Sequence, residues 1–383
     1  MIKKLFLSLF LSLFLSLLLG LVMLAVLLQV APSSSGNPPV SSGDGNSTVS
    51  LEPLNTPVPG GANLVSIQPY LTTMDYASAQ RLHEKLRGYL LAAQQAGWLN
   101  PDSLVVFPEH IGTWLVAEGE GFLVYDAGRT QTALLWSALG NLPGFIAQLW
   151  RETADDPYAA ALFKSKSAAM AAQYQNLFSA LAREFGVTLV AGSIVLPNPV
   201  VENGRIQPGQ GALYNSSFLF HPGGSVAGPV SKVYPIGSEL PFIEPSQDPL
   251  PIFDTRLGRL AILICADSWY PDTWEQVAGA ELVVVPSFSS PDGIWAQPWA
   301  GYNGAPAPDD VSAQDVGVLS EGEAWRKYAL AGRGGQLRAG INTFLRGDLW
   351  DLGDDGRTTA ILNGEVIQGA RKDAAIISSL WLN

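Results

Sequence analysis

The sequence predicts one α/β domain that follows an apolar N-terminal segment. Apolar runs without alternation, such as residues 104–107 and 260–265, are typical of strands in a sheet that is covered on both faces. Residues 78–98 and 167–185 instead carry apolar side chains at spacings of three and four, which predicts amphipathic helices between the strands. Because no internal repeat divides the chain, we expect a single domain over residues 62–383.

The composition of the chain excludes several classes of partner and site. The chain has 383 residues, of which 47% are hydrophobic, and this is enough for a large core. Its formal net charge of −12 argues against a nucleic-acid partner, because no basic stripe is available to neutralise phosphates. The only cysteine, Cys265, excludes an internal disulfide and a multi-cysteine metal site. His83, His110 and His221 lack the spacing of metal ligands, so we assign them structural or surface positions and expect no metal or other cofactor.

Residues 5–28 predict a membrane anchor. These 24 residues carry no charge and would form a helix about 36 Å long, enough to cross a bilayer. A secretory signal has a shorter apolar region of about 7–15 residues, so residues 1–30 are interpreted as an uncleaved anchor rather than a cleaved signal. Lys3 and Lys4 precede the run, which predicts a single-pass protein of the cell membrane with a cytoplasmic N-terminus and an extracytoplasmic domain.

Residues 31–61 are predicted to be a flexible linker. They are rich in Ser, Gly, Pro and Asn and cannot bury enough apolar surface to offset the entropy of ordering. The folded part then opens with a strand at residues 64–68, followed by the first helix and the strand at residues 104–107. Pro108 ends this strand, so Glu109 is expected where a strand leaves the core.

Residues 133–150 contain many leucine, tryptophan and phenylalanine side chains and no charge. The stretch is too short to span a membrane and is interrupted by Gly140 and Pro143. Two interpretations remain open. It is either a buried cap or dimer surface, or an arm that enters the membrane interface with its tryptophans as anchors.

A β-hairpin predicted over residues 214–234 carries Lys232. Its arms, residues 214–220 and 225–234, flank a His-Pro-Gly-Gly sequence that is a strong turn signal. Lys232 lies near the end of the second arm. Like Glu109, it is therefore expected at a strand end.

Cys265 closes the apolar run at residues 260–265, before Asp267 and Pro271 break the strand and open a helix. A thiolate is favoured near a helix N-terminus. A lone buried cysteine is also a small hydrophobic residue that fills space. This stretch alone leaves both interpretations open.

A long segment rich in Gly, Pro, Ala and Asp follows at residues 287–321. Long loops inside compact domains are usually functional or disordered. Its aromatic residues favour an ordered lid that covers a site. Plain packing of these residues on the surface is the alternative. Trp295 in this segment, and Trp269 shortly after Cys265, are the candidate substrate-binding residues.

Glu109, Lys232 and Cys265 together form a workable nucleophilic site. A free thiol has a pKa near about 8.5 and is mostly protonated at neutral pH. A neighbouring carboxylate can take its proton if burial raises the pKa of the acid. A lysine ammonium can stabilise the oxyanion of a tetrahedral intermediate.

These three residues lie in motifs that resemble the signatures of the nitrilase, or carbon–nitrogen hydrolase, superfamily. Val-Val-Phe-Pro-Glu, ending at Glu109, resembles its glutamate motif, and Ser-Lys-Val-Tyr around Lys232 is similar to its lysine motif. Leu-Ile-Cys-Ala-Asp around Cys265 resembles its cysteine motif, although Ala266 stands where an aromatic residue is commonest. The order also matches, and the similarity covers residues 63–383.

The resemblance implies a four-layer αββα sandwich, usually paired into homodimers. It implies that Cys265 attacks a carbonyl or nitrile carbon, that Glu109 acts as general base and acid, and that Lys232 holds the oxyanion. Many members carry a second glutamate after the lysine. The sequence Pro-Phe-Ile-Glu resembles a form found in apolipoprotein N-acyltransferases, which makes Glu244 the candidate and Glu239 its rival.

Several functions remain open. The first is a membrane-tethered thiol hydrolase that cleaves an amide or nitrile through a thioester. The second is an N-acyltransferase that moves a fatty acyl group from phospholipid to a lipoprotein amine. The single predicted membrane span favours hydrolysis, and the apolar residues 133–150 favour transfer. A non-catalytic binding module and a papain-like peptidase are further readings. Glu109, Lys232 and Cys265 together argue against a non-catalytic module. No histidine in a suitable motif supports a papain-like peptidase.

Overall fold

The computed structural model describes residues 49–370 and 374–382, and its strands lie mainly in two β-sheets. The strands are β1 (Ser50–Pro53), β2 (Asn63–Gln68), β3 (Tyr70–Thr72), β4 (Ser103–Val106), β5 (Thr188–Val190), β6 (Ile194–Pro197), β7 (Val200–Glu202), β8 (Arg205–Gln207), β9 (Leu213–Phe220), β10 (Val226–Ser231), β11 (Ile252–Thr255), β12 (Gly258–Ile262), β13 (Leu282–Ser287), β14 (Ala339–Phe344), β15 (Arg346–Asp348), β16 (Thr359–Leu362), β17 (Glu365–Gln368) and β18 (Ile376–Trp381). The first sheet has the order β1-β18-β2-β4-β5-β9-β10, with β6 also paired to β9. The second has the order β11-β12-β13-β14-β16-β17, and β15 with β3 and β7 with β8 form two small ribbons.

Helices cover the outer faces of the two sheets. They are α1 (Ala79–Gln95), α2 (Phe122–Tyr125), α3 (Thr130–Gly140), α4 (Leu142–Leu149), α5 (Pro157–Phe185), α6 (Pro271–Gln276), α7 (Glu321–Tyr328) and α8 (Leu330–Arg333). Leu86 of α1 and Tyr174 of α5 share one buried cluster with Phe107, which follows β4. Leu330 of α8 packs in a second cluster with residues of β14 and β16, such as Ile341.

The two sheets also pack against each other. Leu64 and Leu104 of the first sheet belong to the same buried cluster as Val283 of the second. Between the sheets, the Thr343 hydroxyl donates a hydrogen bond to Ser66 Oγ at 2.9 Å. The layers are therefore helix, sheet, sheet and helix. Strands such as β4 are buried along their whole length, which explains why their sequences do not alternate.

Local capping chemistry sets the bounds of the longest described helix, α5. Asp156 accepts hydrogen bonds from the backbone N–H groups of Tyr158 and Ala159, and Pro157 occupies the first helical turn. Gly186 ends the helix with a φ of 63°. The helix begins ten residues before the predicted start at residue 167, because its first turns bury consecutive residues, Ala159 to Phe163, instead of an apolar stripe at spacings of three and four.

Part of the stretch predicted as a linker is instead paired in the first sheet. β1 runs parallel to β18, and Glu52 accepts hydrogen bonds from the backbone of Ala370 and the hydroxyl of Ser378. The compact unit spans Thr48–Asn383, so it begins before residue 62. Composition alone does not reveal this strand, because its partner lies at the other end of the chain. Residues 1–30, the predicted anchor, lie outside the described residues. Within residues 49–370 and 374–382, no helix is both long enough and apolar enough to span a bilayer.

Residues 133–150 form most of α3 and α4 and expose much of their apolar surface. Ala133 and Phe145 are buried, as a cap would require. Leu135 is 59% exposed, and Trp150, just after α4, is 85% exposed. Exposed apolar clusters of this kind mark contact surfaces.

Candidate active site

The ends of three strands bring Glu109, Lys232 and Cys265 to one edge of the sandwich. β4 and β5 are parallel, and β10 runs in the same direction because β5 and β10 are both antiparallel to β9. In the second sheet β12 and β13 are parallel. Each of the three residues follows the carboxyl end of its strand, which is where ligands bind in many α/β folds.

A tight turn after β4 presents Glu109. His110 has a φ of 60°, and its backbone N–H donates to Ser193 Oγ at 2.8 Å. Gly192 has a φ of +68°, and a Cβ at this position would lie 2.0 Å from the carbonyl oxygen of Pro108. Only glycine permits that approach, so two chain segments fix the orientation of Glu109.

Cys265 opens a short 3₁₀ helix, Cys265–Trp269, from a left-handed backbone conformation. Its φ is 51°, which is uncommon for a non-glycine residue and typical of strained functional turns. Asp267 accepts hydrogen bonds from the backbone N–H groups of Val233 at 3.0 Å and Tyr234 at 2.8 Å. The buried carboxylate therefore ties the cysteine turn to the segment just after Lys232.

Lys232 is the centre of a buried charge cluster. Its side chain is 1% exposed, and its Nζ lies 2.7 Å from Glu109 Oε1 and 2.6 Å from Glu239 Oε2. Asn215 Nδ2 donates to the same Glu109 oxygen at 2.9 Å and to Glu239 Oε1 at 3.0 Å. Every charge of the cluster is thus paired and hydrogen-bonded, as burial demands.

The structure places Glu239, not Glu244, beside the lysine, and this corrects the prediction. A turn brings Glu239 back so that its Oε2 also accepts the backbone N–H of Ile236 at 2.9 Å. Glu244 is exposed, and its backbone N–H donates to the carbonyl of Leu213. Sequence similarity favoured Glu244, whereas the fold selects the glutamate that the turn can reach.

The cluster explains the protonation of its members. Burial alone would lower the pKa of Lys232, but the carboxylates of Glu109 and Glu239 outweigh it and raise the pKa well above its usual range. Burial would raise the pKa of Glu239, but Lys232 and His110 hold it well below its usual range. Burial, and then Glu109, raise the pKa of the Cys265 thiol well above its usual range, with Lys232 opposing them. The resting site therefore holds a neutral thiol beside a lysine-centred ion cluster.

His110 also belongs to this cluster, a place that its spacing from the other histidines did not indicate. Its Nε2 lies 3.3 Å from Glu239 Oε1 and 3.9 Å from Glu109 Oε1, and its Nδ1 lies 3.1 Å from Thr113 Oγ1. The one available sequence signal was its position directly after Glu109. Histidine spacing carried none, because the other members of the cluster are distant in sequence.

Glu109, His110 and Glu239 also bring possible metal-ligand atoms within 4.8 Å of one another. The ammonium group of Lys232 already contacts both carboxylates. A divalent ion would have to displace this buried cation or lie beside it, at a large electrostatic cost. The arrangement therefore fits a lysine-centred cluster better than a metal centre.

The cluster lies in the wall of a cavity of about 630 Å³. Trp269 also lines this cavity, as predicted for a substrate-binding residue, together with Trp299 and Trp325. Trp295 stands behind the wall, because it stacks on Trp325 at 6.2 Å and meets Phe344 edge-on at 5.5 Å. The segment predicted as a lid thus supplies part of the wall, but through Trp299 rather than Trp295.

Comparisons with known proteins concern the family and the fold of the chain. A model of the carbon-nitrogen hydrolase family matches residues 64–309. A comparison with curated protein sequences gives no match. A cysteine-to-alanine mutant of an amidase from Nesterenkonia sp. AN1, described as belonging to the nitrilase superfamily, superimposes with a TM-score of 0.50 at 15% identity, covering 85% of this chain and 92% of that chain. A crystal structure of an amidase from Nesterenkonia sp. gives a TM-score of 0.49 at 16% identity, covering 86% and 94%. At such identities the likeness concerns the fold alone.

Proposed function

The chain belongs to the carbon-nitrogen hydrolase family of nitrilase-type enzymes, and we propose that it hydrolyses small amides through a thioester on Cys265. The observation that carries the proposal is the meeting of a buried thiol, a carboxylate and a lysine in one cavity. In this arrangement Cys265 is the nucleophile, Glu109 the general base and acid, and Lys232 the oxyanion donor.

Glu109 has one oxygen held and one oxygen available for proton transfer. Its Oε1 accepts hydrogen bonds from Lys232 and Asn215. Its Oε2 accepts none from the part of the chain that the structure describes. Because burial keeps the thiol of Cys265 protonated, the proton has to leave as the sulfur attacks, and this free oxygen is the acceptor.

Hydrolysis then proceeds by acylation and deacylation of Cys265. The thiol proton moves to Glu109 as the bond between Cys265 Sγ and the carbonyl carbon forms, and the charge on the carbonyl oxygen is stabilised by Lys232 Nζ. When the intermediate collapses, the C–N bond breaks and the leaving nitrogen takes the proton from Glu109. Glu109 then accepts a proton from water, whose oxygen attacks the thioester. The C–S bond breaks, the acid leaves, and the thiolate takes the proton back.

Glu239 does not share this proton transfer. Its oxygens accept hydrogen bonds from Lys232, Asn215, His110 and the backbone of Ile236. A carboxylate with four donors is held in its ionised form. We assign it the role of positioning Lys232 and keeping it charged.

A second candidate is acyl transfer from a lipid, which the apolar surface of α3 and α4 favours. Leu134 of α3 lines the cavity, and the neighbouring Leu135 and Ile146 are exposed. Such a surface suits a bilayer or a second copy of the chain. Residues 5–28 support a proposal that the enzyme is tethered to the cell membrane, with its domain on the extracytoplasmic side. In this alternative an amine replaces water as the acceptor of the thioester.

Product analysis distinguishes the two candidates. Purified full-length protein is incubated with butyramide, and separately with phosphatidylethanolamine vesicles and a primary amine, with Cys265→Ala as the control for each. We expect the wild-type protein to release ammonia and butyrate from butyramide, and Cys265→Ala to release neither. An N-acylated amine from the vesicle mixture, with no product from the amide, would replace hydrolysis by acyl transfer.

A further inference from the structure

Glu321 is a carboxyl group of the cavity wall that the proposed chemistry does not use. It is the first residue of α7 and lines the same cavity as Cys265. Within residues 49–370 and 374–382, its side chain makes one hydrogen bond, which Trp325 Nε1 donates to Oε1 at 3.1 Å. Burial raises the pKa of Glu321 to about 7, against an ordinary value of 4.5. The group is therefore partly desolvated without a charged partner.

The cationic residues that follow Glu321 in α7 and α8 are engaged elsewhere, and the first of them, Arg326, is exposed and interacts with Glu323. Lys327 pairs with Asp315 at 2.6 Å, and Arg333 pairs with Asp310 at 2.8 Å. A carboxylate in an apolar wall is costly unless a cation reaches it. A cation that pairs with Glu321 would therefore come from a molecule bound in the cavity.

The wall around Glu321 is aromatic. Trp269 meets Trp325 edge-on at 4.9 Å and stacks on Trp299 at 5.9 Å, and Tyr302 lies 5.8 Å from Trp299. All four residues line the cavity. Aromatic faces attract ammonium groups, and a carboxylate adds a charge-assisted hydrogen bond.

The charge of the cavity wall also favours a cationic ligand. Its wall carries the carboxyl groups of Glu109, Glu239 and Glu321 against the single lysine Lys232. The whole chain has a net charge of −12. A field of this sign concentrates cations and repels anions near the cavity.

We propose that Glu321 and the tryptophans around it form a subsite for a protonated amino group, so that the substrate is a small amide bearing a second, cationic amine. This assignment rests on the proposed function, since it places the amide at Cys265 and the ammonium group at Glu321. The amine is recognised by the carboxylate and the aromatic faces together. An anionic or purely aliphatic amide lacks both interactions.

Two amides of matched length test the subsite in the full-length protein. 5-Aminopentanamide carries the cation and hexanamide replaces it by a methyl group. We expect the wild-type kcat/KM to favour 5-aminopentanamide by about tenfold or more. Glu321→Gln should reduce that preference by about tenfold, because the kcat/KM for 5-aminopentanamide should fall much more than the kcat/KM for hexanamide. Glu323→Gln, the same charge change on the exposed side of α7, should keep the wild-type preference.

The outcomes separate the subsite from the reaction. Equal losses for both amides in Glu321→Gln would overturn the subsite and leave a structural role at the start of α7. A wild-type enzyme that hydrolyses hexanamide as well as 5-aminopentanamide would overturn it while the proposed function stands. If neither amide is hydrolysed, the proposed function fails, and calorimetry on Cys265→Ala still decides the subsite. There, 5-aminopentanamide should bind at least about tenfold more tightly than hexanamide, and equal affinities would contradict it.

Discussion

The two ends of the cavity treat buried carboxyl groups in opposite ways. At the catalytic end, Glu109 and Glu239 share Lys232, and the pKa of Glu239 is held well below its usual range. At the aromatic end, Glu321 has one hydrogen bond from Trp325, and burial raises its pKa to about 7. Burial therefore does not decide the protonation state by itself, because direct contact with the ammonium group of Lys232 outweighs it at Glu239.

At the catalytic end the protein itself pairs the buried charges, whereas at the aromatic end a ligand would have to supply the partner. The catalytic cluster is satisfied before any substrate arrives, which is how a preorganised site avoids reorganisation during reaction. The aromatic end is unsatisfied until a cation enters. Substitutions at the two ends should therefore differ in kind, affecting turnover and folding at one end and selectivity at the other.

Replacing the shared cation should have the largest effect. Lys232→Met leaves two buried carboxylates without a partner, so the free energy of unfolding should fall by about 3–5 kcal/mol at neutral pH. Loss of the oxyanion donor should lower kcat/KM by about 10²–10³-fold. Urea unfolding and steady-state kinetics measure the two effects. Lys327→Met, which removes an exposed lysine paired with Asp315, is the control and should change little. An unchanged unfolding midpoint in Lys232→Met would mean that the cluster is not the buried ion network described above.

Removing one carboxylate should have an intermediate effect. Glu239→Gln leaves Lys232 paired with Glu109 but removes one of its two anions, so we expect a loss of about 1–3 kcal/mol in the free energy of unfolding. The pKa of Lys232 should fall towards its ordinary value, because one of the charges that raise it is gone. Glu244→Gln, five residues along the chain and exposed, is the matched control and should behave as wild type. A larger defect in Glu244→Gln than in Glu239→Gln would restore the sequence-based choice.

The smallest effect concerns pH and the aromatic end. The folded protein keeps the proton of Glu321 up to about pH 7, whereas the unfolded chain releases it near the ordinary value of 4.5. Its contribution to stability therefore decreases as the pH rises through that window. As the pH rises from 5 to 8, the Tm of Glu321→Gln should therefore increase relative to the Tm of the wild-type protein.

Glu323→Gln provides the control for this pH dependence. Backbone and side-chain hydrogen bonds at Ser320 lower the pKa of Glu323, so its titration lies below the window. Its difference in Tm from wild type should stay flat between pH 5 and pH 8. A flat difference for Glu321→Gln as well would show that Glu321 is solvated in solution.

The sequence was informative wherever local chemistry decides the outcome. Glu109, Lys232 and Cys265 each follow a strand that its apolar run or hairpin turn makes visible, and strands of one direction end at one edge. Glu239 required the turn that folds its carboxylate onto the backbone of Ile236, and spacing cannot predict which of two nearby glutamates such a turn selects. The position of Trp295, the other candidate substrate-binding residue, was unpredictable for a related reason, because the packing of its ring on Trp325 and Phe344 decides which face it presents.

Long-range pairing accounts for the other differences. β1 is an edge strand whose partner, β18, lies more than 300 residues away, so a composition rich in small and polar residues concealed it. His110 enters the site because a left-handed turn, held by Ser193, directs it towards Glu239. The pairing of β1 with β18 has no local sequence signal, and the only signal for His110 is its position directly after Glu109.

Trapping the covalent intermediate tests the role of Cys265 most directly. Full-length protein is mixed with saturating 5-aminopentanamide or butyramide, quenched in acid during turnover and digested, and the peptide that contains Cys265 is weighed by mass spectrometry. We expect a mass increase equal to the acyl group of the amide without its leaving nitrogen, removal of that increase by hydroxylamine, and no increase in Cys265→Ala. Steady amide hydrolysis by Cys265→Ala, or an acyl group on a different residue, would contradict the assignment of Cys265 as the nucleophile.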